Sequence, residues 1–555
     1  MSSKPLKSEV WVHFIKTNEG GICKHCLKEV KGVGNTTNLK KHLLRRHGHS
    51  QTDVSVGGGG SDITTALLYM IAVDNQPLSI TEKTGFKNLT KIAFPQYNLP
   101  STETVTSLMA AKYQVVATRV KEEIKEVDFL CLTTNTSRDT VNDRGFLGLT
   151  VHYIKNSKIN SITIGLYELH ESTSTQCLAK GMLKFCGEWN LSADKVMAVV
   201  TVNDCAISEG IAEGFGPNKL LHCFAHTLEL VANKVLTNDQ EVSDIVSKIE
   251  FIVGFFKRNG KAARALRNAH KGSESQVNEL IQSVPNTSWN LTYYLLQRFQ
   301  KLSHHIASAL SIIKESTPML DETELDVLGD IINLLCPIEE ARKDISEDNF
   351  TTCSKVIPIV HGISCVISRH TPKTETGRAS SSNLIQDINS RFGKVETNPI
   401  YSVATLLDPR FKSKVFKGSA NSSKAIQTVK RTLETYSETT TQEIIPTPSI
   451  KSAPSLIWTY TQIVSNSNDV PLDLELFLSE PAKDLASDPI LFWQQYIKTS
   501  PSLASIAQSY MCIPATSSVH SESLFSNNGR SDLSNESLSQ LAFLGSLDKS
   551  YWYNW

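Results

Sequence analysis

No stretch of this 555-residue chain comes near the roughly eighteen consecutive apolar residues that a bilayer-spanning helix needs, so no membrane partner is expected. The first residues are polar and charged and lack the apolar centre of a secretory leader, so no signal peptide is expected there. Eleven cysteines occur without a regular framework, and most, such as Cys131, Cys177, Cys186 and Cys205, sit in apolar contexts. That pattern speaks against a disulfide-stapled secreted fold and for reduced thiols inside a cell. Net charge is also missing, with 56 Lys and Arg against 56 Asp and Glu, but the balance conceals an asymmetry. Residues 1–50 hold ten basic residues against Glu9, Glu19 and Glu29, leaving 46 basic and 53 acidic residues in the remainder. A basic arm on an acidic body places the expected nucleic-acid affinity at one end.

That end carries the most specific pattern in the chain. Cys23-x2-Cys26 is followed, after fifteen residues, by His42-x4-His47. Two thiolates from a short turn and two imidazoles from the end of a helix make a tetrahedral set for structural Zn2+. His25 and His49 lie nearby, and His49 is an alternative to His47. A module of about fifty residues is too small for a self-sufficient core, so ligation must supply folding energy, with Trp11 and Phe14 packed against it. Lys40, Lys41, Arg45 and Arg46 are interleaved with the histidines, so the metal-holding helix is also cationic.

Beyond a glycine-rich stretch at 57–60, the periodicity divides the chain further. Residues 62–125 read as helical, with Leu67, Leu68 and Ile71 and then Leu108, Val115 and Val120 facing inward. Short apolar or alternating runs at 127–132, 145–154 and 161–166 read as strands. A helix over 178–186 and a buried strand over 196–201 follow. Three strands, a helix and a further strand are the opening of an RNase H-like sheet. From Leu220 to about Arg369 the spacing is helical, 437–467 is rich in Ser, Thr and Pro, and the tail from Asp488 is helical again.

The N-terminal aromatics, the run Asn35-Thr-Thr-Asn-Leu-Lys-Lys-His42 and the Cys2His2 set resemble the BED-type zinc finger. Nearly the whole chain resembles the hAT transposase family, through six segments in order. These are Leu132-Thr-Thr-Asn-Thr-Ser137, Val200-Thr-Val-Asn-Asp204, Cys223-Phe-Ala-His-Thr-Leu-Glu-Leu230, Ser288-Trp-Asn290, Ala404-Thr-Leu-Leu-Asp-Pro-Arg-Phe-Lys412 and Ile513 through Ser526. The resemblance implies an α+β multidomain protein, with an RNase H-like mixed sheet, a large all-α insertion and a C-terminal helical dimerisation region. The expected segments are a finger at 1–54, a linker at 55–61, a helical N-terminal domain at 62–125 and the first part of the core at 126–219. The insertion then occupies 220–400, a return to the core and a loop occupy 401–487, and the dimerisation region covers 488–555.

Family members that move DNA hold two divalent cations between three carboxylates. The positions that match are Asn135, Val202 and Glu522, and only the last is acidic. An amide offers a neutral oxygen and valine none, so the expectation is a transposase-like core without catalysis. Asp204 and Asp139 are the neighbours that could restore a site. Cys223 and His226, read as packing, DNA-facing or metal-binding, and Trp289, read as core or base-stacking, are further candidates. The expectation is thus a nuclear, Zn2+-dependent protein that binds double-stranded DNA as a homodimer or higher oligomer and acts on transcription or chromatin. Its candidate DNA contacts are Asn35, Asn38, Lys40, Lys41, Arg45 and Arg46. An active transposase with relocated carboxylates and a protein-interaction scaffold are the rival readings.

Overall fold

A computed structural model describes residues 9–16, 20–23, 29–31, 36–47, 59–139, 141–170, 174–270, 274–282, 288–313, 319–346, 353–440, 471–517 and 530–553. Among them no helix is long and apolar enough to cross a membrane.

The finger is a three-stranded antiparallel sheet, β1 (Phe14–Lys16), β2 (Gly20–Cys23) and β3 (Glu29–Lys31), followed by helix α1 (Thr37–His47). Val10, Phe14, Cys23 and Leu39 form its buried cluster, with Trp11 and Val30 against it.

The chain then divides into two compact units, one from residues up to Leu221 together with Ser517–Trp555, the other His222–Thr516. The first is organised by a five-stranded sheet. Three helices, α2 (Gly59–Val73), α3 (Thr84–Ala93) and α4 (Thr102–Lys125), precede β4 (Leu130–Asp139), β5 (Arg144–Lys155) and β6 (Lys158–Leu169). Then come α5 (Thr175–Glu188), β7 (Val196–Thr201), α6 (Cys205–Phe215) and the short β8 (Leu220–His222). The sheet order is β6-β5-β4-β7-β8, with β4 antiparallel to β5, β5 antiparallel to β6, and β4 parallel to β7. Asn156 and Ser157 both take positive φ in the β5–β6 turn, the backbone that a two-residue hairpin requires. Strand β7, Val-Met-Ala-Val-Val-Thr, is apolar almost throughout because both of its faces are covered. Close approach of α5 is secured by two glycines. The Phe185 ring fills the place of a Cβ on Gly165, and a Cβ on Gly181 would meet the Tyr167 ring at 2.8 Å.

The expected separate helical domain at 62–125 does not stand apart. Leu68 and Ile71 of α2 and Met109, Val116 and Val120 of α4 share one core with Leu132, Val151 and Val199 of the sheet. Leu541, Phe543, Leu544 and Trp552, from the far end of the chain, complete that core. The reason is geometric: the sheet has an apolar face that these amphipathic helices help to cover. Helix α2 also starts at Gly59, inside the glycine-rich stretch read as linker.

Lys112 lies within this core at 2 % exposure and donates to the Trp552 carbonyl at 3.1 Å. Burial, assisted by the charge of Arg119, pushes its amine down to about 7. Between that value and the ordinary 10.5 the unfolded chain binds the extra proton, so this residue makes stability rise as pH increases from about 7. Urea midpoints of the native chain should therefore gain more between pH 7 and pH 9 than those of Lys112→Met. Identical pH dependence in the two proteins would contradict the assignment.

The second unit is helical. Long helices at Phe224–Thr237, Gln240–Arg258, Trp289–Ile313 and Glu322–Ser346 are followed by Val356–Arg369, Glu375–Phe392, Pro399–Leu407 and Ser419–Thr440. Helices Leu472–Ser479, Pro489–Tyr496 and Pro501–Met511 close it. Here the boundaries differ from those expected. Residues 401–516, read as core return and the start of the dimerisation region, group with the helical unit, and only the chain from Ser517 returns to the sheet.

Buried polar contacts explain why. The Arg410 guanidinium pairs with Asp408 at 2.7 Å, both fully enclosed, and Asp408 also accepts from Ser354 Oγ at 2.6 Å. Trp493 Nε1 donates to the Leu407 carbonyl at 2.8 Å, and Lys412 Nζ donates to the Glu480 carbonyl at 2.8 Å. The segment Ala404–Lys412 therefore ties residues 472–511 to the helical unit. On the sheet side, Ser539 of helix Asn535–Gly545 and its C-cap Ser546 accept from the Leu166 and Thr163 amides of edge strand β6 at 3.1 and 2.9 Å.

Candidate functional site

The finger places two of the four expected zinc ligands in one core. Antiparallel register sets Phe14 opposite Cys23, which ends β2 fully buried. The Phe14 ring meets the His42 imidazole edge-on at 5.8 Å between centroids. Phe14 thus brackets a thiol from β2 and an imidazole from α1, the soft and borderline donors that Zn2+ selects. Cys26, His25 and His49 and the side chain of His47 lie outside the described residues. Among those described, no three metal-ligating side chains gather. The thiol and imidazole that are described suit Zn2+, and Cys23 and His42 would hold it together with the other pair.

Helix α1 turns Lys40 and Lys41 to solvent, where cations can meet phosphates. Asn38 is exposed as well, but its amide donates to the Lys31 carbonyl at 3.1 Å. That bond ties the start of α1 to β3 and uses one of the two amide N–H donors, leaving one N–H and the amide oxygen, the donor and acceptor that a bidentate adenine contact uses. Asn35 and the side chains of Arg45 and Arg46 lie outside the described residues.

At the sheet centre, parallel register pairs Thr133 with Val200. Continued by two residues, it sets Asn135 beside Val202, and Thr134 Oγ1 donates to Thr201 Oγ1 between them at 2.6 Å. Asn135 is 9 % exposed, opposite Gly148 of β5, where an added Cβ would stand 3.0 Å from the amide oxygen. Val202 packs against the main apolar core. Neither neighbouring aspartate is idle. Asp204 is the N-cap of α6 and accepts from the Ile207 amide at 3.0 Å. Asp139 is wholly buried and accepts from Ser531 Oγ at 2.8 Å and from the Val141 amide at 3.0 Å. Glu522 lies outside the described residues.

The chain re-enters after that segment through a contact that the sequence did not disclose. Arg530 is fully buried, its guanidinium donating to the Asn75 side-chain oxygen at 2.8 Å and to the Ile71 and Gln76 carbonyls at the end of α2. Burial lowers its pKa to about 10. Its partners lie some 450 residues away in sequence, so no local spacing could have signalled it.

In the helical unit, Cys223 is buried at the start of its helix, where its carbonyl accepts from Thr227 Oγ1 at 2.8 Å. His226 faces Glu229 at 3.5 Å. Trp289, at 4 % exposure, begins the helix Trp289–Ile313 and lines an open cavity of about 410 Å³ that also includes Glu229, Glu250 and Ser288. Its ring is mostly enclosed by protein, and the two carboxylates in the cavity oppose a phosphate rather than attract one. Cys223 and His226 do not join a metal cluster among the described residues.

Three segments of the chain match models of known families. Residues 8–48 match the BED zinc finger, 221–334 the ZBED1 RNase-like helical domain, and 473–541 the hAT family C-terminal dimerisation region. The human Zinc finger BED domain-containing protein 4 is 23 % identical over 97 % of this chain and 51 % of that protein. The rice Zinc finger BED domain-containing protein RICESLEEPER 1 is 19 % identical over 94 % of this chain and 84 % of its own length. The Drosophila melanogaster Transposable element Hobo transposase is 25 % identical over 56 % of this chain and 49 % of its own. The chain spans about half the length of the two human relatives it matches. It thus combines a BED zinc finger with hAT transposase-type segments.

Proposed function

We propose that this BED-finger chain is a zinc-dependent, sequence-specific binder of double-stranded DNA that resides in the nucleus, self-associates and no longer cuts DNA. The observation that carries the reading is the finger itself. Its core closes on Cys23 and His42 while α1 presents Lys40 and Lys41 outward. Cys23 and His42 would hold zinc there as a structural ion, and with it bound, strand and helix would present cations and amides to the groove in a fixed register.

Loss of catalysis is supported at the sheet centre. A valine at one carboxylate position serves the hydrophobic core, and an amide stands at another. The rival reading, an active transposase with relocated ligands, needs Asp204 or Asp139. Each is committed to holding its own backbone, and freeing Asp204 would cost the α6 cap about 1 kcal/mol. Self-association is supported by the match of 473–541 and by Leu476, Leu485 and Leu491, which stand exposed within it. Regulation of transcription or chromatin follows from DNA binding without cleavage.

Selection from a pool of randomised duplexes by the full chain tests the proposal. Zinc-loaded protein should enrich a defined site, and chelation should erase that enrichment. A pool that stays random with zinc present would leave a protein-interaction scaffold as the better reading.

A further inference from the structure

We infer that the helical unit carries a second contact for duplex DNA, independent of zinc, on the helix Gly260–Ala269 and the last turn of the helix before it. The partner is taken from the finger reading, on which the inference rests in that respect. Residues 251–273 contain no Asp or Glu, although acidic residues outnumber basic ones in the chain beyond residue 50. Within them Lys257, Arg258, Lys261, Arg264 and Arg267 are all exposed.

Elsewhere in the same unit several exposed or half-exposed cations have acidic partners: Lys234 with Asp387, Lys248 with Glu324, Arg298 with Glu279, Lys373 with Asp326. Among the described residues none of these five forms an ion pair. Arg267 alone makes a side-chain hydrogen bond, to neutral Asn278 at 3.1 Å. A row of cations without counter-charges raises the local potential and draws a polyanion.

The helix is also held rigidly. Ala262, Ala263 and Leu266 are buried and fix its orientation, and Asn259 caps its start by accepting from the Lys261 and Ala262 amides at 3.0 and 3.1 Å. With one face pinned, Lys261, Arg264 and Arg267 project from the other at steps of three residues, about 4.5 Å along the axis. Duplex DNA presents one charge per about 1.7 Å of axis, so several phosphates lie within reach of such a row. Exposed apolar anchors, which a protein partner would need, are absent from 257–268. The contact has no means of reading bases. It grips the backbone while the finger supplies sequence preference, and the two linked contacts reinforce each other.

The test uses the full chain and measures anisotropy of a random-sequence duplex across a salt series, with zinc and with chelator. The variant Lys257→Gln/Lys261→Gln/Arg264→Gln removes three exposed charges whose side chains form no ion pair or hydrogen bond among the described residues. A matched control, Lys394→Gln/Lys424→Gln/Lys498→Gln, removes three exposed charges elsewhere in the unit. The first variant should flatten the log–log salt slope by about 2.7 and weaken binding roughly a hundredfold at 0.1 M salt, in zinc and in chelator alike. The control should leave the slope as it was.

An unchanged slope in the first variant, or an equal loss in the control, overturns the inference. So does a change seen on an RNA duplex of the same sequence but not on DNA. Failure of the finger reading shows differently, as a sequence preference that survives chelation.

Discussion

Chelating zinc from the full chain will unfold residues 9–47 and abolish sequence-specific DNA binding while leaving both larger units intact. The finger's buried cluster among the described residues is four side chains, Val10, Phe14, Cys23 and Leu39, and one of them is a ligand. So small a core cannot order the segment alone, whereas structural zinc contributes roughly 10–16 kcal/mol in small fingers. Cys23→Ala should reproduce chelation, because it removes the thiolate and empties the centre of the core together. Hydrogen exchange followed by mass spectrometry reads the outcome. Protection should vanish from β1–β3 and α1 and persist in β4–β7, and affinity for a selected site should fall at least a thousandfold. Persisting protection of the finger in chelator would show that its core is self-sufficient and that Cys23 is buried for packing alone.

The full chain should bind neither Mg2+ nor Mn2+ tightly at the sheet centre, and should nick no duplex above background in their presence. Two-metal hydrolysis needs anionic ligands that clamp both cations, and at the two strand positions an amide and a valine stand instead. Asn135→Asp with Val202→Asp should create Mn2+ binding measurable by calorimetry. The second change places a charge where valine packs against the core, so the metal-free variant should lose about 1–3 kcal/mol, partly recovered when Mn2+ binds. Divalent-dependent nicking by the unmodified chain that disappears in Glu522→Ala would overturn this and make Asp204 or Asp139 the relocated ligand.

Much of this was legible without coordinates because it depends on local spacing. The alternation of β5 and β6 and the apolar run of β7 each encode their element within a few residues, and the spacing of Cys23/Cys26 and His42/His47 is what motivates the proposed zinc site. The basic helix at 260–269 was equally legible, as a stretch free of acidic residues. Averaging charge over the whole body concealed it.

Sequence by itself determined the order of three strands, a helix and a fourth strand, since this follows from short-range periodicity, and it supplies the residue identities on which the proposed zinc site and the proposed loss of catalysis rest. Only the tertiary structure decided what covers what. It sent 401–516 to the helical unit through Asp408, Arg410 and Trp493, and merged 62–125 with the sheet. It spent Asp204 on a helix cap and Asp139 on Ser531, and pinned the returning chain with Arg530. The physical reason is range. A buried hydrogen bond, such as Ser354 to Asp408 or Trp493 to Leu407, or a shared apolar face is made by partners tens to hundreds of residues apart, and no local pattern of side chains records which partner will arrive.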